Sequence, residues 1–346
     1  MNELIVFVGP NERITPLEVE ASKEGFKYIE VCAFDYEHEY ASKKLKQFLK
    51  MQDREVLFRF IFPFNFITFN QKMQNLIDTG TEESLAKLQI FEEYVNGWKE
   101  FINSVNTPIR EVNSLEAVIF QRNKQKQYKK LEKELNNLPF TVYLSEEKDH
   151  KIISDMLEEY KGVVFKPISG AESKGIYIIT KEQNRYLLKS DIKESRNIKD
   201  ISNSLEETLK KLHSPGYVVQ QKIEFSKVFG DHDFDLRIHT IGGEIVGTAA
   251  FFYNPETKTE EIKSIESIAE KNLKLKEALE ESNLIGIKAT QILGLDVSGV
   301  DIMLSGKDYK PYIIEINSFP GWALLEANPE LEIARKEVEF YKKILR

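Results

Sequence analysis

Short apolar runs alternate with segments of helical spacing along most of this chain. Leu4 to Val8 is an apolar run, Gly9-Pro10 breaks it, Thr15 to Glu24 has helical spacing, and Tyr28 to Phe34 resumes a strand-like pattern. Strand, helix and strand at this spacing predict an α/β unit with parallel pairing. Glu55 to Phe62 predicts a further strand with Arg59 at its centre, and it leads into an aromatic stretch ending at Phe69. Glu82 to about Asn103 is helical in pattern, Thr107-Pro108 ends it, and a new unit starts near Val112. Asn123 to Leu135 reads as a basic amphipathic helix, broken by Leu138-Pro139-Phe140-Thr141 ahead of Val142-Tyr143-Leu144.

Gly162 to Pro167 and Tyr217 to Ile223 predict two strands, and the charged, poorly patterned stretch from Lys181 to Glu207 between them is expected to be an exposed excursion. Asp233 to Ile241 and Glu244 to Phe252 flank Gly242-Gly243, a strong hairpin signal, and pairing around it predicts Arg237 close to Thr248 on one face. Ile262 to Leu293 is mainly helical in pattern. Gly299 to Leu304 and Pro311 to Asn317 then predict a second hairpin, and Asn328 to Leu345 a closing helix.

At 346 residues the chain exceeds the size at which one hydrophobic core usually stops growing, which agrees with several packed units. With 41% hydrophobic and 30% charged residues it has the composition of a soluble globular protein, and no apolar stretch approaches the length of a membrane span. The first residues carry an acidic group where a signal peptide carries basic ones, so a cytoplasmic location and no membrane partner are expected. Cys32 is the only cysteine, which excludes an intrachain disulfide, a multi-thiolate zinc site and an iron–sulfur cluster bound by this chain alone. Between Val31 and Ala33, that cysteine is expected to be buried in a strand. The five histidines are scattered, with none of the spaced pairs that a zinc enzyme places on a helix. A net charge of −8 argues against general nucleic-acid binding, because neutralising phosphates needs a basic face, and leaves local basic clusters to be judged separately.

Candidate chemistry concentrates in the last hairpin. Glu315 and Asn317 lie two apart, so on a strand their side chains leave the same face, and the partner strand brings Asp301 close to them. Two carboxylates and an amide oxygen, with water and phosphate completing an octahedron, suit a hard cation shared with a nucleotide, Mg²⁺ above all. Ordinary polar positions on an exposed hairpin face are the competing explanation.

Other positions suit anions. Lys166 lies near the end of an apolar strand and is followed by the loop Ser169-Gly170-Ala171-Glu172-Ser173-Lys174-Gly175. Small residues and two glycines let backbone N–H groups approach an anion closely, although a plain hairpin with a solvent-reaching lysine has the same pattern. Gln220, Gln221, Lys222 and Ile223 end a strand whose backbone could hydrogen-bond an adenine edge, or is simply a strand end. Arg237 is either salt-bridged to Asp233 or Asp235 or aimed at a transferring phosphate.

The order of these segments from Lys124 to Gly321 resembles the ATP-grasp superfamily, in particular its RimK-like and glutathione-synthetase-like carboxylate–amine ligases. Asn123-Lys124 with the helix after it resembles the family's entry segment, whose lysine reaches the nucleotide phosphates. Lys166-Pro167 with Ser169 to Gly175 resembles the central phosphate-binding lysine and its Gly-rich flap. Gln220 to Ile223 is similar to the adenine hinge, and Asp235-Leu236-Arg237 to the family's Asp-x-Arg. Asp301, Glu315 and Asn317 occupy the positions of the Mg²⁺ ligands, and Phe319-Pro320-Gly321 matches the usual sequel. The resemblance implies an α/β (α+β) fold with an N-terminal Rossmann-like pre-ATP-grasp domain, residues 1–112. Two α+β subdomains that clamp ATP, residues 113–223 and 224–346, follow it. One departure stands out: RimK-like members usually carry another arginine near the end of the strand after the Gly-Gly hairpin, where this chain reads Ala249-Ala250-Phe251-Phe252-Tyr253-Asn254.

The implied activity is ligation of a carboxylate to an amine or similar nucleophile through an acyl phosphate, with release of ADP and phosphate. Arg237 and Lys166 are the implied catalytic residues. The nucleotide falls to Lys124, Lys166, Ser169, Gly170, Ser173, Gly175, Gln220, Gln221, Lys222, Ile223 and Asp235, and the metal to Asp301, Glu315 and Asn317. ATP and Mg²⁺, with Mn²⁺ as a substitute, are the implied cofactors, and free amino acids, a small peptide or a precursor peptide are the candidate substrates. A homo-oligomer is expected from the family alone. The rival readings are a nucleotide-binding regulatory module without catalysis, and RNA or protein binding by the basic helix from Lys124 to Lys133 and the Phe58 to Phe69 tract. Arg59 is a further candidate for holding a carboxylate substrate, with a buried structural arginine as its competing explanation.

Overall fold

Leu4–Val8 (β1) is apolar and buried at every position, so the strand needs a covering layer on each face. A parallel sheet meets that need: its order is β2-β1-β3-β4, with Lys27–Val31 (β2), Val56–Phe60 (β3) and Ile109–Val112 (β4). Helices Asn11–Lys23, Glu39–Lys50, Ile67–Asp78 and Glu83–Asn103 run in the crossovers that parallel pairing requires. Trp98 stands edge-on against Phe58 and Phe60, with ring centroids 6.2 and 5.7 Å away, so these aromatic residues are core. This computed structural model describes residues 4–9, 11–32, 37, 39–52, 54–61, 67–78, 82–144, 149–170, 175–183, 185–190, 198–202, 204–210, 216–224, 233–254, 259–265, 269–270, 272–306, 308–319 and 331–345.

The second sheet is antiparallel, in the order β5-β10-β6-β7-β8-β9: Thr141–Tyr143 (β5), Gly162–Pro167 (β6), Tyr177–Glu182 (β7), Arg185–Ser190 (β8), Ile198–Ser202 (β9) and Tyr217–Gln221 (β10). Helix Asp149–Tyr160 covers it, packing Ile153, Met156 and Leu157 on Val163, Phe165 and Leu188. The stretch Lys181 to Glu207, expected as an exposed excursion, instead supplies β8 and β9. Its charged residues hid the strands, because the buried pair Leu187–Leu188 is too short an apolar run to signal one and the pairing depends on cross-strand neighbours.

The third sheet is also antiparallel, ordered β13-β12-β11-β14-β15: Asp233–Ile241 (β11), Glu244–Asn254 (β12), Thr259–Ser264 (β13), Val297–Ser305 (β14) and Lys310–Asn317 (β15). Helix Leu273–Leu293 covers one face, packing Ala278, Ile285 and Ala289 with Ile238, Val300 and Ile316. The start of the region expected to be helical, from Ile262, belongs to β13. Gly242 and Gly243 turn between β11 and β12 with φ of 60° and 82°, a conformation that L side chains resist. Counting back from Ile241 opposite Glu244 would place Arg237 opposite Thr248. A bulge between His239 and Thr240 shifts the ladder by one residue, so Arg237 faces Ala249, and Thr248 pairs with Ile238.

Helix Ile333–Ile344 joins the first and third sheets, its Ile333, Val338 and Tyr341 packing among Ile5, Phe7, Leu57, Ile241 and Val297. Arg59, fully buried, crosses the same junction. Its Nε donates to Glu337 Oε1 at 2.8 Å, Nη1 to the Phe60 carbonyl at 3.2 Å and Nη2 to the Ser318 carbonyl at 3.4 Å, while the Tyr341 hydroxyl donates to the same Glu337 oxygen. These partners make Arg59 a structural arginine rather than a substrate-binding one. Cys32, expected to be buried, lies just beyond β2 and is exposed. Among the described residues no helix is long and apolar enough to cross a membrane.

Because Glu337 neutralises a buried guanidinium, Glu337→Ala should lower unfolding stability by about 3–5 kcal/mol in a denaturant titration. Glu339→Ala, which breaks an exposed pair with Arg335 two residues along the same helix, should leave the midpoint nearly unchanged.

Candidate active site

Strands β11, β14 and β15 each contribute one charged residue to a single row. Arg237 pairs with Asp301, and Asp301 with Glu315, while Asn317 lies one step along opposite Gly299. The Arg237 guanidinium grips both oxygens of Asp301, Nε to Oδ1 at 2.6 Å and Nη2 to Oδ2 at 3.0 Å, the two-pronged geometry in which arginine binds carboxylates best. Sequence proximity pointed to Asp233 or Asp235 as its partner; the neighbouring strand supplies Asp301, and the Asp233 side chain lies outside the described residues. Asp235 adds to the negative potential around the guanidinium. Asn317 Nδ2 donates to Asp301 Oδ2 at 3.4 Å, which closes the group.

The second sheet and the helix before it bring cations to this row. Asn123 caps helix Lys124–Leu131, its Oδ1 accepting from the Lys126 N–H at 2.9 Å. The cap points Lys124 inward, where Nζ lies 2.9 Å from Glu315 Oε1 and donates to the Gly170 carbonyl at 3.2 Å. Lys166, near the end of β6, is also buried. Burial pushes its ammonium pKa down to about 8; the Glu315 carboxylate opposes that shift, and the neighbouring Lys124 charge adds to it. Burial works the other way on Glu315, yet Lys124, Lys166 and Arg122 together hold its carboxyl below the usual range. Asp301, Glu315 and the Asn317 amide form an oxygen-rich donor set that fits a hard divalent cation, with room in the coordination shell for phosphate and water. Among the described residues no group of three or more His, Cys, Asp or Glu could hold a metal.

Of the anion loop, Ser169 is buried and Gly170 binds Lys124 through its carbonyl, while Gly175 turns with a φ of 74°. Ser173, with Ala171, Glu172 and Lys174, lies outside the described residues, as do Pro320 and Gly321. Gln220 and Gln221 spend their side chains on structure. Gln220 Nε2 donates to Thr141 Oγ1 at 3.0 Å, and Gln221 Oε1 accepts from the Phe140 N–H at 2.8 Å. Lys222 donates its N–H to the Gly162 carbonyl at 3.0 Å. A cleft of about 180 Å³ opens beside this segment, lined by Gln221, Lys222, Ile223 and Glu224 on one side and by Ser305, Gly306, Asp308 and Tyr312 on the other.

Two residues here were not anticipated. Arg122 is buried beside the row and helps depress the Glu315 pKa. His239 is buried on the Arg237 face, and burial, then Arg59 and Arg237, push its pKa down to about 3, so the ring is neutral. Neither ring nitrogen has a hydrogen-bond partner among the described residues. The signals were available: Arg122 stands two residues before Lys124, and His239 two after Arg237, a spacing that shares one strand face.

Comparison with solved structures places the whole chain on a known architecture. It covers 98% of its own length and 98% of the ATP-grasp ligase PsnB, in a structure complexed with a minimal precursor, at a TM-score of 0.59 and 12% identity. It covers 100% of its own length and 97% of the D-alanine–D-alanine ligase from Bacillus anthracis, at a TM-score of 0.57 and 13% identity. A family model described as YheC/D-like ATP-grasp matches residues 119–244, the segment that contains Lys124, Lys166 and Arg237. Residues 119–244 thus match an ATP-grasp family, and the whole chain has the fold of ATP-grasp ligases. A probable alpha-L-glutamate ligase from Legionella pneumophila (strain Corby) is 25% identical over 181 residues, 52% of this chain and 50% of that protein. The match therefore spans about half the length of that curated relative.

The sheet register brings together Arg237, Asp301, Glu315 and Asn317, and helix Lys124–Leu131 adds Lys124. Lys166 joins them through the electrostatic coupling that shifts its pKa. In a ¹³C-methyl-lysine NMR titration of the folded protein, one lysine, assigned by its loss in Lys166→Arg, should titrate near pH 8. Glu315→Gln should move that pKa lower still, since Glu315 favours the charged ammonium; titration of every lysine near pH 10.5 would refute this account of the site.

Proposed function

We propose that the protein is an ATP-dependent carboxylate–amine ligase of the RimK-like or glutathione-synthetase-like kind. The observation that carries this reading is the row Arg237–Asp301–Glu315, met by Lys124 from the neighbouring helix. In this reading residues 1–112 form the pre-ATP-grasp domain, and residues 113–223 and 224–346 are the two subdomains that clamp ATP. The segment Gln220 to Ile223 lies along the adenine, and its backbone is left to do the recognition because the glutamine side chains are already engaged. The loop Ser169 to Gly175, which includes Ser173, covers the phosphates, with Asp235 supporting Arg237 from the same strand.

The chemistry asks little covalent work of the protein. A carboxylate oxygen of the substrate attacks the γ-phosphorus as its bond to ADP breaks, giving an acyl phosphate. The amine then attacks the acyl carbon, phosphate leaves, and the ammonium proton passes to solvent or to the leaving phosphate. Lys124 and Lys166 bind the phosphate oxygens, and Arg237 balances the charge on the transferring group. Asp301, Glu315 and Asn317 would hold Mg²⁺, or Mn²⁺ in its place, which withdraws charge from the phosphates when bound. Closure of the Ser169 to Gly175 loop, as the family resemblance implies, would exclude water, to which an acyl phosphate would otherwise be lost.

A second reading, in which the carboxylate belongs to a precursor peptide, draws on the likeness to PsnB over nearly the full length of both chains. RNA binding by the basic helix is not favoured. Lys126 pairs with Glu92, and Lys129 and Lys130 lie over the rings of Tyr143 and Phe120, so these lysines are engaged within the protein. A cytoplasmic location fits the nucleotide requirement and belongs to this proposal.

The test is release of ADP and phosphate from Mg·ATP against pooled amino acids, dicarboxylates and peptides. Substrate-dependent release should fall by about two to three orders of magnitude in Glu315→Ala, with the fold intact by circular dichroism. Mg·ATP binding without stimulated turnover by any pool would favour a precursor-peptide substrate or a regulatory module, and failure to bind Mg·ATP would end the ligase reading. The pH dependence has a definite sign. Phosphates favour protonated Lys166, so ATP affinity should be flat below about pH 8, where the lysine is already charged. It should fall as pH rises further, because binding must then take up a proton.

A further inference from the structure

Strand β15 carries Glu315 and Asn317, and it is the edge strand of its sheet, paired with β14 on one side only. An edge leaves a row of N–H and C=O groups that another strand, water or side chains must satisfy. Here the Asn137 carbonyl accepts from the Ile313 N–H at 2.8 Å, and side chains satisfy the positions around the candidate ligands. The Tyr128 hydroxyl donates to the Ile314 carbonyl. Gln127 Oε1 accepts from the Ile316 N–H at 3.1 Å, and Gln127 Nε2 donates to the Ile316 carbonyl at 2.9 Å. The Ser318 carbonyl accepts from Asn113 Nδ2 at 2.7 Å and from Arg59 Nη2 at 3.4 Å.

Gln127 holds the central position in this series. Ile316 stands between the two residues Glu315 and Asn317, and the Gln127 amide bonds it in both directions, as the peptide group of an adjacent strand would. Gln127 is fully buried, and its Nε2 also donates to the Phe120 carbonyl at 3.0 Å, which fixes the plane of the amide. It lies three residues after Lys124 on helix Lys124–Leu131, and that spacing puts both side chains on one face of the helix. The helix that delivers Lys124 to Glu315 is thus keyed to the backbone on which Glu315 and Asn317 ride. A further strand could satisfy the same backbone groups, but it would put a ladder where the lysine enters.

The geometry points to Gln127 as a positioning residue for the metal-bearing strand: its amide replaces a missing neighbour strand and sets Glu315 and Asn317 in register with Lys124. This inference rests on the Mg·ATP reading of the site. Gln127 has no bond to the three donor side chains, so its effect passes through the β15 backbone. Loss of its amide would leave the Ile316 N–H and C=O buried without partners and free the strand to shift.

The test uses Gln127→Met, which keeps length and bulk but removes the donor and the acceptor. Two affinities are measured on the full chain: Mn²⁺ by electron paramagnetic resonance in the presence of AMP-PNP, and AMP-PNP itself in excess EDTA. Gln127→Met should weaken Mn²⁺ binding by about 10- to 100-fold, the usual effect of removing a group that orients metal ligands, while leaving metal-free AMP-PNP affinity unchanged. Tyr128→Phe removes the bond to Ile314, together with a longer one to Gln220 Oε1 at 3.4 Å, and gives a second reading if Gln127→Met does not fold. Its Mn²⁺ affinity should drop by about two- to tenfold, again with metal-free nucleotide binding intact. Wild-type Mn²⁺ affinity in either folded variant overturns the inference, and so does equal loss of metal and nucleotide affinity, which a purely structural role would produce. If the wild-type protein binds no Mn²⁺ with AMP-PNP, the metal reading itself fails, an outcome distinct from failure of the Gln127 role.

Discussion

Neutralisation of two neighbouring carboxylates governs this site. Asp301 and Glu315 sit opposite each other on adjacent strands and would repel there unless each had a cation of its own. Arg237 supplies one from the next strand, and Lys124 the other from a capped helix outside the sheet. Each pairing constrains a different part of the chain. The Arg237 pair depends on the unbroken register of β11 against β14, and the Lys124 pair on the approach of the helix to an open sheet edge. Remove either cation and a partly buried carboxylate loses its compensating charge, which costs more than the pair contributes in water.

The first sheet takes part through the same logic. Its only charged β3 residue, Arg59, is buried across the junction with the third sheet, where Glu337 from the last helix balances it. Another arm of that guanidinium reaches the Ser318 carbonyl, immediately after Asn317. Asn113, in the left-handed region at φ 51°, binds the same carbonyl and also ties Asp296 and Val297 at the start of β14. The first sheet is therefore fastened to both strands of the hairpin that carries the candidate metal ligands.

The immediate surroundings of Arg237 differ from what the family resemblance would suggest. Ala249 lies opposite it on β12, and the Phe251 ring is 5.0 Å from the guanidinium carbon. An aromatic face beside an arginine stabilises it without adding charge. The wall next to Arg237 is thus apolar at these two positions.

Much of this architecture was legible in the order of residues. Apolar runs located β1, β3, β6, β10 and the two hairpins, since burial imposes a local periodicity. Asp301, Glu315 and Asn317 could be grouped because a strand alternates its faces and a hairpin brings its two arms together. What escaped was set by partners distant in sequence. The charged strands β8 and β9 exist because of their neighbours, Arg237 faces Ala249 because of a bulge that no count of residues reveals, and Arg59 is structural because Glu337 lies 278 positions away. The sequence by itself determined which side chains could form the site, because chemistry resides in residue type and short-range spacing. Only the tertiary structure decided which carboxylate each cation neutralises, and that an amide from a helix closes the open edge of β15, because register and charge pairing are properties of elements in contact.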